Sequence, residues 1–195
     1  MQLNNTRSGY GWISIFLHWV SAIGVIWLYF LGENIEHARE LELPREARRL
    51  IIDYHISIGL IFLLALAARI VWHVSQTQPE KPVQYAWLNH LARAVIWAFL
   101  AMIAVQIVSG PVIEWAAMRP LKIFDLVSIP SPFSSRIEWL HDGAELVHKL
   151  APNLFWPLIV LHVAGAAKHI FLDPDRSALR MFWVRSQDHS KSGGN

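Results

Sequence analysis

A chain of 195 residues that is 54% hydrophobic and only 16% charged is too apolar for an ordinary soluble domain, where about a quarter of residues carry charge. Its formal net charge of +2 is small, and no nucleic-acid partner is expected. Cysteine is absent, which excludes disulfides and thiolate-bound clusters, and neither a GxGxxG turn nor a phosphate loop gives nucleotide chemistry a footing.

Four apolar runs of spanning length follow one another, at about 12–31, 51–72, 90–113 and 146–172. The first, Trp12 to Leu31, contains no Asp, Glu, Lys or Arg. It lacks a strong basic leader and a small-residue cleavage site, so it reads as a retained span rather than a secretory signal. His18 lies about two turns into it. Arg45, Arg48 and Arg49 then form either a basic patch at the membrane surface or a solvated helix face paired with Glu42 and Glu46. The second run carries His55 about one turn in, and Arg69 fourteen residues later on the same face. Arg69 either pairs with an anionic group at that depth or snorkels to the surface. The third run, His90 to Ile113, has no histidine in its interior. Trp12, Trp72, Trp87, Trp115 and Trp183 fall near run ends, where amphipathic rings favour the headgroup zone. His37, His73, His90 and His189 are read as loop, interface or tail residues.

The fourth run holds a ladder of one repeated interval: His141, His148, Phe155, His162 and His169 stand seven residues apart. Two helical turns take about seven residues, so a continuous helix lines them along one stripe. His148 and His162 are then about 21 Å apart along the axis and within roughly 40° in azimuth. Polar groups at membrane depth are costly unless something engages them. Alternating span direction brings His18 to the depth of His162 and His55 to the depth of His148. Such pairs can fill both axial positions of an iron, a geometry suited to electron transfer rather than oxygen binding. Without cysteine, a haem here is noncovalent and b-type. Two haem b groups, one near each membrane face, are therefore expected, with His18, His162, His55 and His148 as metal ligands. Phe155 falls between them, either packing both macrocycles or serving as plain packing. His141 and His169 contact a haem propionate, a quinone or the headgroup zone. Pro152 and Pro157 interrupt the fourth run and are expected to bend it, altering the azimuth of His148 relative to His162.

The expected fold is an all-α four-helix transmembrane bundle, one membrane domain over residues 1–185 with a mobile cytoplasmic tail over 186–195. An even number of spans puts both termini on one side. Basic residues divide almost evenly, but the compact basic tail after the fourth span places that side in the cytoplasm. Acidic residues gather on the opposite loops.

Leu17-His18-Trp19, His55-Ile56-Ser57-Ile58-Gly59 followed by Arg69 and Trp72, Ser109-Gly110, and Leu161-His162 through Lys168-His169 with Asp173, Asp175 and Leu179-Arg180-Met181 resemble the bacterial cytochrome b-561 family. That family is related to the cytochrome b subunits of nickel–iron hydrogenases. The resemblance covers about residues 12 to 182 and implies a multi-pass inner-membrane protein with two b haems. By position His18, His55, His148 and His162 match the family's axial ligands, and His169 a place near its inner quinone site. The expected function is electron transfer between an unknown periplasmic donor and membrane quinone, with lipid and quinone, ubiquinone being a candidate, as partners. Two alternatives stand beside it: a superoxide oxidase passing electrons from superoxide to ubiquinone, and an anchoring cytochrome subunit of a periplasmic dehydrogenase or hydrogenase.

Overall fold

The computed structural model describes residues 2–80, 84–124, 126–173 and 177–183. Lys81, Asp125, Asp175, Arg176, Arg185 and the 186–195 tail lie outside the described residues. The chain is an all-α four-helix transmembrane bundle, and four helical stretches are long and apolar enough to cross a membrane. They are α1 (Trp12–Glu40), α2 (Arg45–Ser75), α3 (Ala86–Ala116) and a fourth built from α4 (Glu138–Leu150), a 3-10 turn (Ala151–Leu154) and α5 (Phe155–Phe171).

Each helix outruns its apolar run. The 29 residues of α1 extend about 44 Å, against roughly 30 Å of hydrocarbon. His37, His73 and His90 thus sit on helix ends rather than in loops. The fourth span begins at Glu138 rather than near Leu146, because the polar outer turns of α4 still satisfy their backbone as helix outside the apolar zone. Pro152 falls in the 3-10 turn, where a tighter winding accommodates the lost donor, whereas Pro157 lies in the first turn of α5 and is tolerated there. Pro111 sits inside α3 without ending it.

Helices α1 and α2 form one closely packed hairpin, and α3 and α4 another. Within the first, Gly24 meets Phe62, and a Cβ there would stand 2.5 Å from the ring. The α1–α2 connection turns through Glu42, whose φ of 51° is left-handed. Neither α1–α5 nor α2–α4 is among the closely packed helix pairs.

The two ends are tied differently. At the end holding the N-terminal segment, Asn5 Oδ1 accepts from the Gly11 amide at 3.0 Å and the Ser14 hydroxyl at 2.6 Å. Trp72 Nε1 donates to Ser14 Oγ, Trp19 Nε1 to the Met181 carbonyl, and Arg180 to that of Glu80. The described parts of both terminal segments therefore share one face of the bundle. At the other end a short antiparallel hairpin, β1 (Leu121–Ile123) and β2 (Val127–Ile129), pairs Leu121 with Ile129 and packs on α2. Ser57, fully buried, donates to the Lys122 carbonyl and accepts from the amide of Phe124, a residue held at φ 49°. No sequence periodicity foretold this hairpin.

Glu114 anchors the same end. It is 5% exposed, takes a two-pronged contact from Arg119 with both distances 2.8 Å, and lies 3.5 Å from Arg49. The hydrogen bond to Glu114 holds the Arg119 guanidinium above its usual pKa. Removing the carboxylate takes the two-pronged partner from Arg119 and the weaker of two partners from Arg49, so Glu114→Ala should lower stability by on the order of 2 kcal/mol. Arg136→Ala, which breaks only an exposed 3.2 Å pair with Glu138, should cost no more than about 1 kcal/mol. Thermal unfolding in detergent separates the two variants.

Candidate functional site

Two imidazole pairs bridge the helices that do not pack closely. His18 of α1 faces His162 of α5 with ring centres 6.0 Å apart and planes inclined at 47°. His55 of α2 faces His148 of α4 at 6.2 Å and 83°. His18, His55 and His148 are half-buried, and His162 is exposed along the side of the bundle. The 3-10 turn does not part either pair: each half of the fourth span presents its own histidine to a different neighbour.

These dimensions suit a metal held axially. An ion midway between two imidazole nitrogens, at the usual bond length of about 2 Å, sets ring centres roughly 6 Å apart. Direct hydrogen bonding between the rings would draw them closer. The donor chemistry agrees as well. Ser109 Oγ donates to the Val105 carbonyl at 2.6 Å, so its contact with His148 Nδ1 at 2.8 Å is one it accepts. His148 is therefore protonated on Nδ1, leaving the lone pair of Nε2 available. Buried His55 Nδ1 has no hydrogen-bond partner. The paired imidazoles would fit a b-type haem iron held between them.

Close approach of α3 to α4 makes this geometry possible. Gly110 lies against His148, where an added Cβ would stand 3.4 Å from Cε1. Gln106 Nε2 donates to the His148 carbonyl at 3.2 Å. Gln106, Ser109 and Gly110 occupy one face at i, i+3 and i+4. The histidine pattern had no means of revealing this cradle; the small pair Ser109-Gly110 inside an apolar run was its only trace.

Between the pairs, Phe155 is 3% exposed and stacks on Tyr29, with ring centres 4.8 Å apart and an 18° inclination. Trp156 Nε1 donates to the Tyr29 hydroxyl at 3.0 Å. Tyr29 carried no signal in the ladder because it comes from α1. Phe99 edges onto His162 from α3.

Arg69 lies within electrostatic range of His18, His162 and Tyr10. Burial pushes the Tyr10 phenol up, opposed by the positive field of Arg69 and Arg180. His169 is not at either pair. Its Nδ1 contacts Asp173, which Lys168 also holds at 2.9 Å. The hydrogen bond from Lys168, then that from His169, keeps the Asp173 carboxyl below its ordinary range. Asp173 and Lys168, with Gln84, Tyr85 and Leu88, line a cavity of about 440 Å³. His141 contacts Asp142 at 2.9 Å.

The arginines at the start of α2 part company. Arg49 pairs with Asp53 at 2.8 Å and with Glu114, not with Glu42 or Glu46, while buried Arg48 Nε has no hydrogen-bond partner.

Against known proteins, residues 9–183 match the family model described as prokaryotic cytochrome b561. The chain is also similar to the protein named cytochrome b561 homolog 2 of Escherichia coli (strain K12), with 28% identity over 194 residues, covering 97% of this chain and 99% of that one.

The cradle gives a direct test of site geometry. Gly110→Val should push the His148 ring aside and reduce b-haem absorbance per protein. Gly143→Ala, whose Cβ meets nothing within 4 Å, should leave it unchanged.

Proposed function

The chain belongs to the prokaryotic cytochrome b561 family, a family of transmembrane electron-transfer cytochromes with b-type haem, and from that premise we propose that it carries electrons across the membrane through two haems. The 6.0 Å and 6.2 Å imidazole separations on two pairs of helices carry this reading. His18 and His162 would hold the inner haem, and His55 and His148 the outer one. When bound, these groups supply reversible one-electron iron chemistry. With an imidazole on each side the iron would have no place for a substrate, so the chain's own residues would position, insulate and tune it rather than make bonds.

The chain's own residues divide that work. Arg69, a cation on the face of His55 and near the inner pair, would balance a haem propionate. Tyr29 and Phe155 would fill the space between the two levels with packed aromatic rings and exclude water from it. The cavity lined by Gln84, Lys168 and Asp173 offers hydrogen-bond donors and acceptors beside an apolar wall of Leu88, which suits a quinone ring with its two carbonyls. His169 would act there by holding Asp173 in place. The basic segments after the fourth span favour that end as the cytoplasmic one in a bacterial inner membrane, so the donor would be periplasmic. A carrier is favoured over a superoxide oxidase because Arg49, one member of the outer arginine patch, is already committed to Asp53 and Glu114. The patch is thereby a weaker attractor for a small anion.

A pyridine haemochrome assay with protein quantitation tests the ligand set. Wild type should hold two b haems per chain. His18→Ala and His162→Ala should each lose one site, and His55→Ala and His148→Ala the other. Full occupancy in all four variants would defeat the assignment. Arg69→Leu should lower the midpoint potential of the inner site alone in a redox titration, because the reduced state loses a nearby positive charge. An unchanged inner potential would leave Arg69 as a snorkelling cation.

A further inference from the structure

Among the described residues, the four paired histidines differ in what holds their second ring nitrogen. His18, His55 and His162 have no hydrogen-bond partner for their rings, and the buried Nδ1 of His55 is orphaned. His148 alone is anchored, by Ser109 at 2.8 Å. Ser109 is 4% exposed, and its position is over-determined: its own proton is committed to the Val105 carbonyl one turn back, at 2.6 Å. It can therefore only accept from the imidazole. Helix α3 lends neither pair a histidine, yet it supplies this contact, with Gly110 allowing the ring to approach and Gln106 fastening the backbone of the same residue.

An imidazole that donates its outer N–H becomes a stronger electron donor to a metal through its other nitrogen, and a stronger donor favours the oxidised ion. We propose that Ser109 is a positioning residue that locks His148 with Nε2 toward the metal and holds the outer haem at a lower potential than the same site would have without it. This rests on the two-haem reading above and deepens it. The acceptor stands at one of the four imidazoles, on the outer level, so its effect tilts the two sites in the direction that makes transfer from outer to inner downhill. The tilt is set by a neutral hydroxyl rather than by a charge. It should therefore be insensitive to ionic strength, unlike any contribution from Arg45 or Arg48.

The test is a redox titration of the purified holoprotein, with electron paramagnetic resonance of its oxidised form. The outer component is identified as the one missing from His148→Ala. In Ser109→Ala the outer midpoint should rise and its low-spin signal should shift, while the inner component keeps both values. Ser109→Thr, which retains the hydroxyl, should restore the wild-type potential. Ser109→Cys, a weaker acceptor, should fall between Ala and wild type, and it provides the measurement if the alanine variant fails to retain its outer haem. An outer potential and signal that stay at wild-type values in the alanine variant, or in the cysteine variant where alanine loses the haem, would overturn the role of Ser109 while leaving two haems in place. If His148→Ala keeps both components, the ligand assignment fails and the Ser109 inference falls with it.

Discussion

The bundle is organised around imidazoles that meet across a separation its backbones do not close. Elsewhere the helices pack by ordinary means: Gly24 admits Phe62 between α1 and α2, and Gly110 lies against His148 between α3 and α4. Between α1 and α5, and between α2 and α4, the approach is made by side chains, chiefly the two histidine pairs and the Tyr29–Phe155 stack. A neutral imidazole at that depth is costly without an engaged nitrogen. A group bound between the two facing imidazoles of each pair would engage the nitrogens that the protein leaves free, and the separation would make room for the proposed cofactor.

The remaining structure protects that spacing. One end is clamped by Asn5, Ser14 and Trp72, which join the N-terminal segment to the foot of α2. The other is clamped by Glu114 and by the β-hairpin seated on Ser57. Both sets of contacts are polar and join segments near the two ends of the bundle. His18 and His162 lie between the clamps, and His55 stands beside the Ser57 contact, two residues away on α2. Helix α3 contributes in another way. Although it lends neither pair a histidine, its Gln106, Ser109 and Gly110 hold one ring in a single tautomer and orientation.

Much of the membrane fold was legible in the sequence because hydrocarbon imposes a coarse, strong rule: about twenty apolar residues in a row must be helical there. The run from Trp12 to Leu31 without a charge announces α1, and the run from Ile51 to Trp72 announces α2. The helix ends were not legible in that way. Outside the apolar zone, propensity and caps decide, and Glu138 to His141 continue as helix although the apolar signal starts later. The facing of His18 with His162 and of His55 with His148 was readable from alternating direction, since depth along each span follows from residue number alone. Ser109, Tyr29 and Glu114 were not readable, because each acts through a partner on another helix, and azimuth between helices leaves no periodic mark. Pro152 and Pro157 marked an interruption of the fourth span, but not that it would take the form of a 3-10 turn at Ala151–Leu154 with each half keeping its own partner.

The proposed function rests on one iron lying between His18 and His162 and a second between His55 and His148. Anomalous diffraction at the iron absorption edge, on crystals of the haem-loaded protein, locates the metal independently of any activity. Two iron peaks per chain are expected, each within coordination distance of both imidazoles of its pair. A single peak, or iron bound by any other residues, would contradict this arrangement.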